Sequence, residues 1–210
     1  MLIGGELVDA EGGRTFDNVN PATEEVLGVV ADGSHADMQR AVDAARHAFD
    51  TTAWATDREL RKRCLDQLQI ALEAEAEQWR QEVVAEAGAP LILTYGPQLD
   101  APLREGLRWP ASMIDEFAWE RDLGTKDPLG LGDSRRVVWK EPLGVVGVVT
   151  PWNFPIEIIL NKLGPALAMG NTCVLKPAPD TPWTATRIGR LAAEQTDMPP
   201  GVLNVVTSSD

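Results

Sequence analysis

Residues 144–177 read G-V-V-G-V-V-T-P-W-N-F-P-I-E-I-I-L-N-K-L-G-P-A-L-A-M-G-N-T-C-V-L-K-P. The apolar run over residues 145–149, interrupted only by Gly147 and stopped by Pro151, predicts a strand buried on both faces. A turn follows. Residues 156–169 carry Ile156, Ile159, Leu160, Leu163 and Leu167 at helical spacing and close on Gly170 and Asn171, which predicts a helix. A second apolar run, residues 172–175, completes a βαβ unit. Parallel strands joined in this way place ligands at their carboxyl ends. Two polar side chains stand there, Asn153 after the first strand and Lys176 after the second.

Downstream, residues 181–196 predict another helix, with Thr181 able to cap it and Pro182 in its first turn, and residues 203–206 a third strand. The order βαβαβ is the first half of a doubly wound, Rossmann-like parallel sheet, so the fold class is α/β. A sheet ending at residues 203–206 would leave a hydrophobic strand as an exposed edge, and such edges recruit partners or aggregate. An oligomeric or poorly soluble chain is the expectation.

Upstream, residues 1–31 alternate in short segments, with Gly12-Gly13 predicting a hairpin and Asn20-Pro21 another turn. Ser34 caps a predicted helix over residues 37–49 whose apolar face is Met38, Val42, Ala45 and Phe49. Thr56 and Glu59 form a capping box that opens one long helix, with Leu60, Cys64, Leu68, Leu72, Trp79 and Val83 as its seam. Residues 103–119 predict one more helix, residues 124–132 a Gly- and Pro-rich loop, and residues 135–140 a strand with basic ends.

The 210 residues are 44% hydrophobic, enough for a sizeable core, and carry 32 acidic against 19 basic side chains for a net charge of −13. A surface this negative argues against nucleic acid and anionic membranes as partners. No run of about 18 apolar residues predicts a membrane span. The first residues lack the basic flank and apolar core of a signal peptide. Two cysteines, Cys64 and Cys173, are too few for a disulfide scaffold and fit a reducing compartment, so the cytoplasm is the expected location.

Taken residue by residue, the Asn153 amide can donate to an oxygen that becomes negative during attack on a carbonyl, although an Asn in a turn also serves simply to satisfy its own backbone. Lys176 can place its donors on ribose hydroxyls or remain a solvated strand-end Lys. Lys162, on the helix behind Asn153, either tunes a proton path or meets solvent. Cys64 on an apolar helical seam and Cys173 inside a buried strand are poor nucleophiles, because buried thiols are inert. His35 and His47 have no ligand partners at metal spacing, so no metal is expected.

The segments Pro142-Leu143-Gly144, Pro151-Trp152-Asn153-Phe154-Pro155, residues 162–168 and residues 171–177 together resemble the aldehyde dehydrogenase superfamily, in the first half of its cofactor domain. The resemblance extends from Asn20-Pro21-Ala22-Thr23 to residues 199–206 and covers essentially the whole chain, but less than half of a typical member. It implies NAD or NADP as cofactor and a small-molecule aldehyde as substrate. Asn153 is implied as the oxyanion donor, with Lys162 a further catalytic position, and Lys176 as the ligand of the adenosine ribose. Backbone groups of Thr150, Pro151 and Trp152 would complete the cofactor contacts, while Trp152 and Phe154, with Trp109, Met113 and Phe117, would wall an apolar substrate tunnel. Pro179 stands where many NAD-preferring members carry a glutamate, which leaves the choice between NAD and NADP open. The implied organisation is 1–132 hairpins and helices of the cofactor domain, 133–142 an oligomerisation strand, and 143–210 the first βαβαβ half of the NAD(P)-binding domain. The nucleophilic Cys and general-base Glu fall outside the matching part, so the expectation is an inactive isolated chain. It would be a homo-oligomer, pair with a complementary catalytic half, or act as a non-catalytic binding module.

Overall fold

The computed structural model describes residues 1–127 and 132–210. Strands β1 (Leu2–Ile3) and β2 (Glu6–Leu7) form a hairpin that turns at Gly4 and Gly5, both with the positive φ that such a turn needs. The hairpin expected at Gly12-Gly13 is not formed. Glu11–Gly13 is a short 3-10 turn leading into β3 (Thr15–Val19), which pairs antiparallel with β4 (Val26–Ala31) across the Asn20 turn.

Ser34 caps α1 (His35–Thr51) in a reciprocal box with Asp37: Asp37 N donates to Ser34 Oγ, and Ser34 N donates to Asp37 Oδ2. The buried face of α1 is Ala41, Ala45 and Ala48 rather than the expected Met38, Val42 and Phe49. Small side chains bring its backbone close enough for Thr172 Oγ1 to donate to the Ala45 carbonyl at 3.0 Å.

The single long helix expected next is two, α2 (Arg58–Ala74) and α3 (Ala76–Glu86), broken at Glu75. Tertiary charge holds the bend, since the Glu75 carboxylate accepts from Arg187 and Arg190. Asp57 caps α2 by accepting from Leu60 N at 2.9 Å, replacing the expected Thr56 and Glu59 box. Thr56 Oγ1 turns back to the Ala53 carbonyl instead.

Short helices α4 (Leu91–Thr94) and α5 (Asp100–Glu105) precede α6 (Arg108–Glu116), so the one helix expected over 103–119 is also divided. The cause is local: Pro110 has no N–H to give the Gly106 carbonyl four residues back, and its ring crowds that carbonyl. Glu120–Lys126 is a strand, β5, where residues 124–126 were expected in a loop. It pairs with β6 (Ser134–Trp139) across a register shift between Asp122 and Thr125. The rest of the loop expected over 124–132 lies partly outside the described residues.

The opening stretch folds as β7 (Val145–Val149), α7 (Pro155–Ala168) and β8 (Thr172–Lys176), followed by α8 (Pro182–Gln195) and β9 (Leu203–Val205). The main sheet runs β2-β1-β9-β8-β7, parallel among the last three and antiparallel where β1 joins β9. Alternation along β8 sends Val174 towards Ala41 and Ala45 of α1, and Cys173 and Leu175 into the larger core with α7, α8 and α2. Helices therefore cover both faces, and each fully buried Leu or Ile in that core contributes about 2 kcal/mol.

Two edge expectations are corrected. Leu203–Val205 is not an exposed edge, because Leu2 of β1 pairs with Val205 and closes it. The parallel edge that stays open is β7, expected to be buried on both faces, in which Val148 is buried but Val149 is 65% exposed. Thr181 does not cap α8. The buried Glu86 carboxylate does so, accepting from Trp183 N and Thr184 N at 3.0 Å each, and from Thr184 Oγ1 at 2.7 Å.

Candidate functional site at the carboxyl ends of β7 and β8

The parallel register sets Val149 opposite Lys176, and Thr150 N extends the ladder by donating to the Lys176 carbonyl at 3.2 Å. The two strand ends thus reach the same level, and the loop 150–154 leaves β7 directly beside Lys176. Asn171 fixes the other end of the unit. Its Oδ1 accepts from Leu143 N (2.7 Å) and Gly144 N (3.1 Å), while its Nδ2 donates to the Ala166 carbonyl (3.0 Å). One side chain therefore ties the end of α7 to the start of β7.

Pro151, Trp152 and Asn153 are exposed, whereas Thr150 is buried. Pro155 starts α7 at its first turn, and Phe154 accepts the first helical hydrogen bond from Ile158 N at 3.0 Å. Gln98, buried at 6% exposure, donates from Nε2 to the Asn153 carbonyl at 3.1 Å and so ties the loop to the segment before α5. Lys162 Nζ donates to the Val149 carbonyl at 2.5 Å, bridging α7 and the end of β7. The Asn153 amide and the Lys176 ammonium make no hydrogen bond to other described residues, which leaves both sets of donors free for a ligand. Pro179 is half-buried in the turn that follows β8, with Asp180 exposed beside it.

Both cysteines lie away from this surface. Cys64 and Cys173 are fully buried, and burial pushes their thiols up to about 11 and about 12. Neither is a nucleophile at neutral pH. Among the described residues no group of three or more His, Cys, Asp or Glu could hold a metal ion, and no helix is long and apolar enough to cross a membrane.

The apolar wall expected from Trp109, Met113, Phe117, Trp152 and Phe154 is not a single surface. Met113 and Phe117 line an apolar groove of about 230 Å³ with Ala168 and Met169, at the far end of α7 from Asn153. Trp152 and Phe154 line neither this groove nor the next. A larger groove of about 490 Å³ lies between the α5–α6 junction and α7, with Glu105, Trp109, Glu157, Asn161 and Pro165 on its walls. Glu157, Asn161 and Pro165 follow one another at intervals of four and share one face of α7. Close packing shapes this groove: a Cβ on Gly164 would stand 2.6 Å from the Gly106 carbonyl oxygen.

The sequence signalled neither Gln98 nor the placement of Glu105 and Glu157 on one groove. The spacing of Glu157 and Asn161 opposite the apolar face of α7 was the only trace of a polar groove.

A doubly wound α/β domain with free polar groups at two adjacent strand ends belongs to the class that binds ligands at such ends. The model of the aldehyde dehydrogenase family matches residues 7–210, and the chain belongs to that family. It is 38% identical over 206 residues to the mitochondrial aldehyde dehydrogenase of Leishmania tarentolae, and 40% identical over 206 residues to an aminoacetaldehyde dehydrogenase of Pseudomonas aeruginosa. Each match covers 98% of this chain and 40% of the relative. An indole-3-acetaldehyde dehydrogenase solved with NAD+ superposes with a TM-score of 0.90 at 36% identity, covering 99% of this chain and 40% of that one. The chain thus spans about 40% of the length of the curated relatives it matches.

Proposed function

We propose that this chain supplies the cofactor side and the oxyanion donor of an NAD(P)-dependent dehydrogenase that oxidises an aldehyde to a carboxylic acid. The observation that carries the reading is the juxtaposition of Asn153 and Lys176 at the ends of two paired parallel strands, both with unused donors. In the reading, Lys176 donates to the hydroxyls of the adenosine ribose, and backbone groups of Thr150, Pro151 and Trp152 border the same ligand. A bound nicotinamide would supply the acceptor for the hydride. The Asn153 amide donates to the carbonyl oxygen as negative charge develops there, and loss of such a donor costs about 3 kcal/mol of transition-state stabilisation. Lys162 holds the end of β7 and thereby the start of the loop that carries Asn153, a positioning role.

Pro179 offers no carboxylate to repel a 2′-phosphate, while the exposed Asp180 beside it offers one displaced by a residue, so the reading accommodates either NAD or NADP. The thiol that attacks the aldehyde is neither Cys64 nor Cys173, because both are buried. That favours a second reading in which these 210 residues alone are a binding module and turnover needs a thiol from elsewhere. The exposed β5–β6 pair, with Trp139 at 65% exposure, is the surface through which such a module or a second copy would assemble. The relatives act on aldehydes as different as aminoacetaldehyde and indole-3-acetaldehyde, so the shared chemistry is that of the carbonyl.

Calorimetric titration with NAD, NADP and ADP tests the reading. Saturable binding of all three, weakened at least tenfold by Lys176→Ala, is expected. Absence of binding, or binding indifferent to Lys176, overturns it. Reduction of NAD by the chain mixed with aldehydes would remove the second reading.

A further inference from the structure

We propose that the groove between the α5–α6 junction and α7 is a subsite for a positively charged group, so that the aldehyde accepted here carries an ammonium at the end of a short chain. The inference rests on the proposed role of Asn153, and its own evidence is the chemistry of the groove walls.

The groove has room for a small substrate at about 490 Å³. Carboxylates come from two separate elements, Glu105 at the end of α5 and Glu157 in the first turn of α7. Asn161 stands one turn beyond Glu157 on the same face, and the aromatic surface of Trp109, 59% exposed, completes the lining. Carboxylates, an amide oxygen and the face of an indole are together the surroundings an ammonium prefers. The groove lining includes no Lys or Arg. Glu157 has no ion pair among the described residues; Glu105 meets Arg104 at 4.0 Å with both side chains largely in solvent, and Arg108 is also close enough to feel its charge. A negatively charged substrate would meet the unpaired Glu157 carboxylate here, and a purely apolar one would leave it without a partner.

The groove also stands in the right place. Glu157 is the third residue of α7, which begins at Pro155 directly after the loop 150–154, so its carboxylate stands in the helical turn next to the loop. The other wall is joined to that loop directly. Pro97 lines the groove, and the adjacent Gln98 holds the Asn153 carbonyl. Gln98 Oε1, shut away from solvent, has no hydrogen-bond partner among the described residues. A carbonyl held by the Asn153 amide would extend its chain along Glu157 and Asn161 towards Trp109.

The test is a titration of the chain with three stable compounds of equal length, 4-aminobutan-1-ol, butan-1-ol and 4-hydroxybutanoate, read at the indole N–H resonance of Trp109. Saturable shifts with the amino alcohol are expected, with affinity at least tenfold above that for the neutral and anionic compounds. Glu157→Gln and Glu105→Gln should each remove at least threefold of this preference, and Glu157→Asp should restore part of it. Glu157 also suits the positive end of the α7 dipole, but that role changes only the melting temperature and not the preference among the three compounds. Equal affinities, no shift at Trp109, or a preference untouched by both Gln variants would overturn the subsite. Titration of the same samples with NAD separates the two readings. Binding of NAD through Lys176 without ammonium preference defeats the subsite alone, and ammonium preference without NAD binding defeats the dehydrogenase reading alone.

Discussion

Gln98 and Asn153, 55 positions apart in the chain, are joined by a hydrogen bond of 3.1 Å from the Gln98 side-chain amide to the Asn153 carbonyl. Gln98 is buried while Asn153 is exposed, so the loop after β7 is held from its inner side and leaves the Asn153 side chain free. The loop is thereby shaped by a segment that follows α4, not only by the prolines that flank it.

Replacing Gln98 by Ala removes that tie. A neutral hydrogen bond of this kind contributes about 1 kcal/mol, so amide exchange in residues 152–154 should accelerate roughly fivefold while the exchange of β8 is unchanged. Hydrogen-exchange mass spectrometry resolves the two segments. Equal rates in the variant and the parent would mean that Pro151 and Pro155 alone hold the loop.

Asp37 makes stability depend on pH at a distance from the site. Burial pushes its carboxyl up, but hydrogen bonds from Ser34 N and Glu11 N, with Arg40 nearby, outweigh this and hold it below the usual carboxylate range. A group whose pKa is lower in the folded than in the unfolded chain stabilises the fold above the unfolded value of about 3.9 and ceases to do so as pH falls through the folded value. Asp37→Ala should cost roughly 2 kcal/mol at pH 7, the worth of hydrogen bonds to a charged acceptor, with the difference from the parent shrinking below about pH 4. Urea unfolding of both proteins between pH 3 and pH 7 measures this.

Gly164 tests whether the groove depends on close helix packing. A Cβ there would lie 2.6 Å from the Gly106 carbonyl oxygen and 2.8 Å from the Pro110 ring, neither of them able to swing aside like a flexible side chain. Gly164→Ala should destabilise the fold by about 1–3 kcal/mol, because overpacking outweighs the gain in helix propensity. Thermal denaturation gives the sign directly: an unchanged or raised melting temperature would show that α7 moves away at no cost.

Much of the α/β core was legible because its signals are local. Residues 144–177 carry their own start and stop residues, and the observed β7, α7 and β8 differ from the expected bounds by a residue or so. Asn153 and Lys176 were legible for the same reason, since the end of a strand is marked by the residues that end it. Neither helix break was read from the sequence, which predicts single helices there: Pro110 carries a local cause, whereas Glu75 carries none, because its bend is held by arginines on α8 more than a hundred positions away.

By itself, the sequence determined that the chain alternates strand and helix, that two polar side chains stand at neighbouring strand ends, and which family the motifs resemble. Only the tertiary structure decided which edge is closed, since Leu2 reaches Val205 across nearly the whole chain and leaves β7 as the open side. It also decided that Gln98 holds the loop of Asn153 and that Glu105 and Glu157 face one groove. The physical reason is common to all three. Secondary structure follows from side chains a few positions apart, whereas edges, tethers and grooves depend on packing between segments that the order of residues does not bring together.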